Sequence, residues 1–121
     1  MTMARVLVVD DEASLRFVLK LAFQSAGHTV AEAGDGRSAL AEIATRKPDL
    51  VATDYMMPIM DGRELITELR NDPATAGLPI MLVSSSPSAS EIEGADLFMQ
   101  KPLDPMDVVT RAEALLDRAA A

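Results

Sequence analysis

The stretch Val6-Leu7-Val8-Val9-Asp10-Asp11 decides how this chain is read, because four aliphatic residues run without alternation straight into two carboxylates. Four residues are too few for a helix. An apolar run without period-two alternation fits a strand buried on both faces, as in a parallel sheet. The pattern returns at residues 50–52, ahead of Thr53 and Asp54, at 80–83, ahead of Ser84, and at 97–99, ahead of Lys101 and Pro102. Residues 29–33 make a weaker fifth candidate.

Helical patterns fill the intervals. Leu15, Val18, Leu19, Ala22 and Phe23 fall on one apolar stripe, and Gly27 beyond it suits the left-handed residue that closes a helix. Ala39, Leu40 and Ile43 form a second stripe, and Leu65, Ile66 and Leu69 a third. Val108, Ala112, Leu115 and Leu116 form a last stripe behind Pro105, whose missing N–H is harmless in a first helical turn. Pro48, Pro73 and Pro79 fall between elements, where breakers belong. Strand and helix alternating from end to end predict an α/β fold, a parallel sheet covered by helices on both faces. Such sheets carry their functional groups beyond the carboxyl ends of the strands. That rule selects Asp10, Asp11, Asp54, Ser84 and Lys101.

Composition narrows the function classes. A chain of 121 residues, 49% hydrophobic but only 3% aromatic, suffices for one aliphatic core, and one domain over residues 1–121 is expected. Cysteine is absent, which removes disulfides and thiolate metal sites and fits a reducing compartment. A formal charge of −8 opposes the basic footprint of a nucleic-acid binder. No apolar run approaches the ~18 residues of a membrane span, and the N-terminal apolar run, stopped by Asp10, is too short for a signal-peptide core. A soluble, unprocessed, cytoplasmic protein without an output domain is expected.

Three carboxylates at neighbouring strand ends repel one another unless something positive sits between them. All-oxygen ligands suit Mg²⁺, which takes one or two protein carboxylates together with waters and phosphate oxygens. An isolated acid pair is more often an N-cap or a solvated loop charge, an isolated lysine is usually solvated, and Ser84-Ser85-Ser86-Pro87-Ser88 reads equally as a polar loop. Placed on one sheet edge, the same groups supply what phosphoryl transfer needs. The metal and Lys101 neutralise phosphoryl oxygens, the Ser84 hydroxyl orients one of them, and Asp54, alone at the end of a central-looking strand, is the nucleophile.

Val8-Val9-Asp10-Asp11-Glu12, Thr53-Asp54-Tyr55-Met56-Met57-Pro58-Ile59-Met60-Asp61-Gly62, Pro79-Ile80-Met81-Leu82-Val83-Ser84 and Gly94-Ala95-Asp96-Leu97-Phe98-Met99-Gln100-Lys101-Pro102 resemble the four signature blocks of the response regulator receiver family. The resemblance implies a doubly wound, five-stranded parallel sheet of flavodoxin-like receiver fold. It implies Asp54 as phosphoacceptor, and Asp11, Asp54 and the Met56 backbone carbonyl as direct Mg²⁺ ligands, with Asp10 acting through water. Lys101 would pair with the phosphoryl group ahead of a cis Lys101-Pro102 bond, since X-Pro is where cis bonds occur. Ser84 would be the switch hydroxyl and Phe98 the switch aromatic, though Phe98 also suits a plain core side chain. The donor would be a histidine kinase or a histidine phosphotransfer protein. The module would catalyse its own aspartyl phosphorylation and dephosphorylation and signal by protein contact, without binding nucleic acid or membrane.

The chain departs from the family between Ser84 and Lys101. These lie 17 positions apart (101 − 84), about five fewer than the usual family spacing. The intervening residues 85–93 hold five Ser or Pro and only Ile92 as a large apolar side chain, so little can be buried there and helix formation is poor. The fourth helix is therefore expected to be a single turn or absent, which puts the usual output face in doubt. Met56 and Ser86 occupy the positions that flank a hydrolytic water in the family, and methionine offers that water no useful hydrogen bond. Two other readings compete. A phosphohydrolase of the haloacid dehalogenase group needs a second Asp where Met56 stands. An interaction module that has lost the switch would have no use for the full acid, hydroxyl and lysine set.

Overall fold

The computed structural model describes residues 3–120; Met1, Thr2 and Ala121, which the expected domain and the N-terminal reading include, lie outside the described residues. The strands are β1 (Arg5–Val9), β2 (Thr29–Ala33), β3 (Leu50–Asp54), β4 (Ile80–Ser84) and β5 (Leu97–Gln100). The helices are α1 (Ala13–Ser25), α2 (Gly36–Thr45), α3 (Gly62–Asn71) and α4 (Pro105–Ala120). All five strands are parallel and lie in the order β2-β1-β3-β4-β5. The chain steps one way from β1 to β2 and then returns to the other side for β3, so the sheet is doubly wound, as expected.

Two apolar layers enclose the sheet. On one face Val6, Val8, Ala52, Met81 and Val83 pack with Leu19 and Phe23 of α1 and Val108, Ala112 and Leu115 of α4. On the other, Leu7, Val9, Val51, Ile80 and Leu82 pack with Ala39 and Ile43 of α2 and Leu65, Ile66 and Leu69 of α3. Strands β3 and β4 are buried throughout, which explains their uninterrupted aliphatic runs. The edge strands β2 and β5 are only partly buried, so burial on both faces holds for the inner strands alone.

Three sequence expectations need adjustment. Strands β3, β4 and β5 extend one or two residues past their apolar runs and β1 begins one residue before its own, at Arg5, because backbone pairing includes Arg5, Thr53, Asp54, Ser84 and Gln100. Val18 is not part of the buried stripe of α1; it is exposed together with Phe17 and Leu21, giving the helix a second, outward apolar face. The segment between β4 and β5 is a single 3-10 turn, Pro87–Glu91. The shortened helix is thus as expected, but Pro87 opens the turn, where its fixed φ and missing N–H do no harm.

Hydrogen bonds replace the missing helix at the far end of this segment. The Arg70 guanidinium donates to the carbonyls of Gly94 (2.9 Å), Ala76 (2.9 Å) and Leu78 (2.7 Å) and to Asp96 Oδ2 (2.9 Å). Asp96 Oδ2 also accepts the first N–H of β4, from Ile80, at 2.8 Å. One planar, multidonor side chain thus ties the end of α3, the entry to β4 and the entry to β5.

Candidate metal and phosphoacceptor site

β1 and β3 are direct neighbours, with Val9 paired to Thr53, so Asp10 and Asp54 leave adjacent strands at the same level. One carboxylate oxygen from each of them and one from Asp11 lie within 4.8 Å of one another. Asp10 and Asp54 are buried, while Asp11 is exposed. Asp54, only 6% exposed, accepts the Tyr55 N–H on Oδ1 at 2.8 Å. Asp10 Oδ1 accepts the Glu12 N–H at 2.8 Å, which closes the turn leading into α1.

Lys101 reaches across from β5. Its backbone N–H donates to the Ser84 carbonyl at 2.9 Å, one step beyond the Ser84–Gln100 pair. Its Nζ lies 3.1 Å from Asp10 Oδ2 and 3.3 Å from Asp54 Oδ2, and the Lys101-Pro102 bond is cis. Burial pushes the Asp54 carboxyl above the ordinary carboxylate range, and the Asp10 charge pushes it further; Lys101 and the Tyr55 N–H pull it back without cancelling. Burial pulls the Lys101 ammonium down, but the Asp10 hydrogen bond and both carboxylate charges outweigh it, and its pKa is raised.

One ammonium therefore pairs with two of the three clustered carboxylates and leaves Asp54 strained as an anion. An all-oxygen set this crowded suits a hard divalent cation with open positions for water and phosphate oxygens. Ser84 is buried, and its Oγ accepts the Ser86 N–H at 3.0 Å, which leaves its own O–H free to donate. Ser86 Oγ pairs with Ser88 Oγ at 2.9 Å. Phe98 pairs with Leu82 in the sheet and is half-buried against the α2/α3 layer, so it is neither a sealed core residue nor an exposed one. The Met56 side chain projects outward, 65% exposed.

The sequence reading missed what holds the loop after β3 in place. The Gly62 N–H donates to the Tyr55 carbonyl at 2.7 Å, and a Cβ on Gly62 would run into the Asp54 carbonyl and the Tyr55 Cα. Asp61 and Glu64 form a reciprocal capping box, 2.9 and 3.2 Å, that starts α3 at this point. An acidic residue three positions before a Glu at the head of an apolar stripe is a readable signal for that cap; nothing in residue spacing reveals the glycine contact.

The chain matches the response regulator receiver domain family over residues 6–113. It is 38% identical over 118 residues to the phosphate regulon transcriptional regulatory protein PhoB of Pseudomonas aeruginosa, covering 93% of this chain and 52% of that protein. It is 36% identical over 120 residues to the alkaline phosphatase synthesis transcriptional regulatory protein PhoP of Bacillus subtilis, covering 95% and 49%. The chain thus spans about half the length of these curated relatives. Among solved structures, a CheY-like receiver domain protein from Methanospirillum hungatei superposes with a TM-score of 0.90 at 26% identity, covering 98% of both chains. The chemotaxis response regulator CheY4 of Vibrio cholerae gives 0.87 at 31% identity, covering 94% and 99%. With these matches added to the carboxylate cluster and its lysine, the chain belongs to the response regulator receiver domain family, the phosphoacceptor signalling modules of two-component systems.

Proposed function

We propose that residues 1–121 act as one receiver domain that takes a phosphoryl group from a phosphohistidine donor onto Asp54. The observation that carries this reading is the Lys101 ammonium set between Asp10 and Asp54 beside a three-carboxylate cluster. An Asp54 Oδ attacks phosphorus, a new P–O bond forms and the N–P bond of the donor breaks. Its electron pair stays on the imidazole nitrogen, which takes up a proton. Lys101 shifts from the two carboxylates to a phosphoryl oxygen, and the Ser84 O–H turns to another. Both groups stabilise the charge that the equatorial oxygens carry in the transition state.

Mg²⁺ is the cation that fits the acids; Asp11, Asp54 and the Met56 carbonyl would hold it, with Asp10 acting through water. Bound there, it would neutralise phosphoryl charge and template in-line attack. Ser84 and Phe98 are the groups through which the state of Asp54 reaches the surface, and the 3-10 turn attached to Ser84 is what they move. The donor is a histidine kinase or a histidine phosphotransfer protein. Self-catalysed phosphorylation and dephosphorylation, with signalling by protein contact in the cytoplasm, complete the reading. No helix among the described residues is long and apolar enough to cross a membrane.

Treating the protein with acetyl phosphate and Mg²⁺ and following both intact mass and phosphate release tests this. A single stable phosphoryl adduct is expected. Rapid phosphate release without an adduct would favour a phosphohydrolase, and neither signal would reduce the chain to an interaction module.

A further inference from the structure

Ile59, in the loop between β3 and α3, has φ 70° and a side chain 77% exposed. A β-branched residue in the left-handed region is strained, and a mostly exposed side chain recovers little of that by burial. The conformation must therefore be imposed on the loop by its neighbours. The ends of the loop are joined by the Gly62 to Tyr55 hydrogen bond. Its middle is held from a different part of the chain. Gly36, the buried first residue of α2, donates its N–H to the Met60 carbonyl at 2.9 Å, while the Met60 N–H turns back to the Pro58 carbonyl at 2.7 Å.

The N–H of a first helical residue has no partner inside its own helix, so the Met60 carbonyl satisfies a donor that α2 would otherwise leave open. The approach is so close that only glycine permits it. A Cβ on Gly36 would sit 2.8 Å from the Met60 carbonyl oxygen, 2.7 Å from its Cγ and 3.0 Å from its Cβ. The Met60 side chain can swing aside, but its backbone oxygen cannot move without the loop. That loop carries Met56, whose carbonyl belongs to the metal site proposed above.

We infer that Gly36 is a positioning residue for the metal site: by clamping Met60 it sets the path of the loop from Tyr55 to Gly62 and with it the Met56 carbonyl. The inference rests on the magnesium reading of the acidic cluster. Groups that orient metal ligands without touching the ion are typically worth about 10–100-fold in affinity.

Tyr55 is the sole tyrosine, and the chain has no tryptophan, so intrinsic fluorescence reports on this loop directly. Titrating Mg²⁺ into the wild type, Gly36→Ala and Gly34→Ala, well below their thermal midpoints, gives the affinities. Gly34→Ala is the matched control, because a Cβ there meets nothing closer than Arg16 Nη1 at 3.7 Å. Gly36→Ala is expected to bind on the order of tenfold more weakly, with Gly34→Ala unchanged. Adding Met60→Ala to Gly36→Ala removes the side-chain part of the collision and should restore part of the loss. A wild type that ignores Mg²⁺ would overturn the metal reading itself. A wild type and a Gly36→Ala protein that respond over the same concentrations would overturn the inference alone. If Gly36→Ala does not fold, the wild-type Gly36 amide resonance decides: it should shift with the same Mg²⁺ dependence as Tyr55, and an unmoved resonance would overturn the clamp.

Discussion

Replacing Asp54 by Asn should make the metal-free protein more stable, although it removes an ion pair. At an effective dielectric of about 20, the Lys101 ammonium 3.3 Å away attracts the Asp54 carboxylate by about 5 kcal/mol. Asp10, with one carboxylate oxygen within 4.8 Å of one of Asp54's, repels it by about 3.5 kcal/mol, and exposed Asp11 adds a smaller, solvent-screened repulsion. The charges nearly cancel, so burial of a carboxylate that is 6% exposed sets the sign. Asparagine keeps the shape and an acceptor for the Tyr55 N–H, and Lys101 keeps Asp10 at 3.1 Å. A gain of about 1–2 kcal/mol is expected, which for a domain of this size raises the midpoint by roughly 3–10 °C.

The pH dependence follows from the raised pKa of Asp54. A carboxyl that holds its proton more tightly when folded weakens the fold as pH rises from its unfolded value near 3.8 through the raised folded value. The advantage of Asp54→Asn should therefore be full at neutral pH and vanish in acid. Added Mg²⁺ should stabilise the wild type and close the gap, by linkage. Thermal melts across pH, in chelator and in millimolar Mg²⁺, measure all of this. A lower midpoint for Asp54→Asn in chelator at neutral pH, or a gap indifferent to Mg²⁺, would mean that the buried Asp54 charge does not weaken the metal-free fold.

Other perturbations have distinct expected outcomes. Lys101→Met removes the ammonium between Asp10 and Asp54 and should cost about 1–3 kcal/mol at neutral pH, with less loss in Mg²⁺; urea melts would show it. Gly62→Ala forces a Cβ into the Asp54 carbonyl and should cost about 2–4 kcal/mol, again read from urea midpoints. Residues 85–93 should exchange their amides quickly in the free protein and slow on addition of a phosphoryl mimic, because the turn buries only Ala89 and is tied to Ser84 through Ser86. Hydrogen exchange unchanged by the mimic would remove that switch.

The chemistry was legible because a parallel sheet exposes its strand ends on one side. Asp10, Asp54, Ser84 and Lys101 each follow an aliphatic run, and strands side by side must bring such residues together. The shortened helix was legible because residues 85–93 hold too few apolar side chains to bury. The outward apolar face of α1 was not, since periodicity ranks Val18 with Leu15 and Leu19 and only the position of α4 decides which of them is covered. The Arg70 hydrogen bonds and the Gly36–Met60 clamp were equally hidden. Both run to backbone carbonyls, and a carbonyl carries no residue-type signal.

The central assignment is Asp54 as the acceptor. Intact mass after acetyl phosphate and Mg²⁺, compared between the wild type, Asp54→Asn and Asp10→Asn, tests it most directly. One phosphoryl adduct is expected on the wild type, none on Asp54→Asn, and a slower but detectable adduct on Asp10→Asn, which keeps the nucleophile and loses a flanking charge. An adduct that persists on Asp54→Asn, with the protein folded, would contradict it.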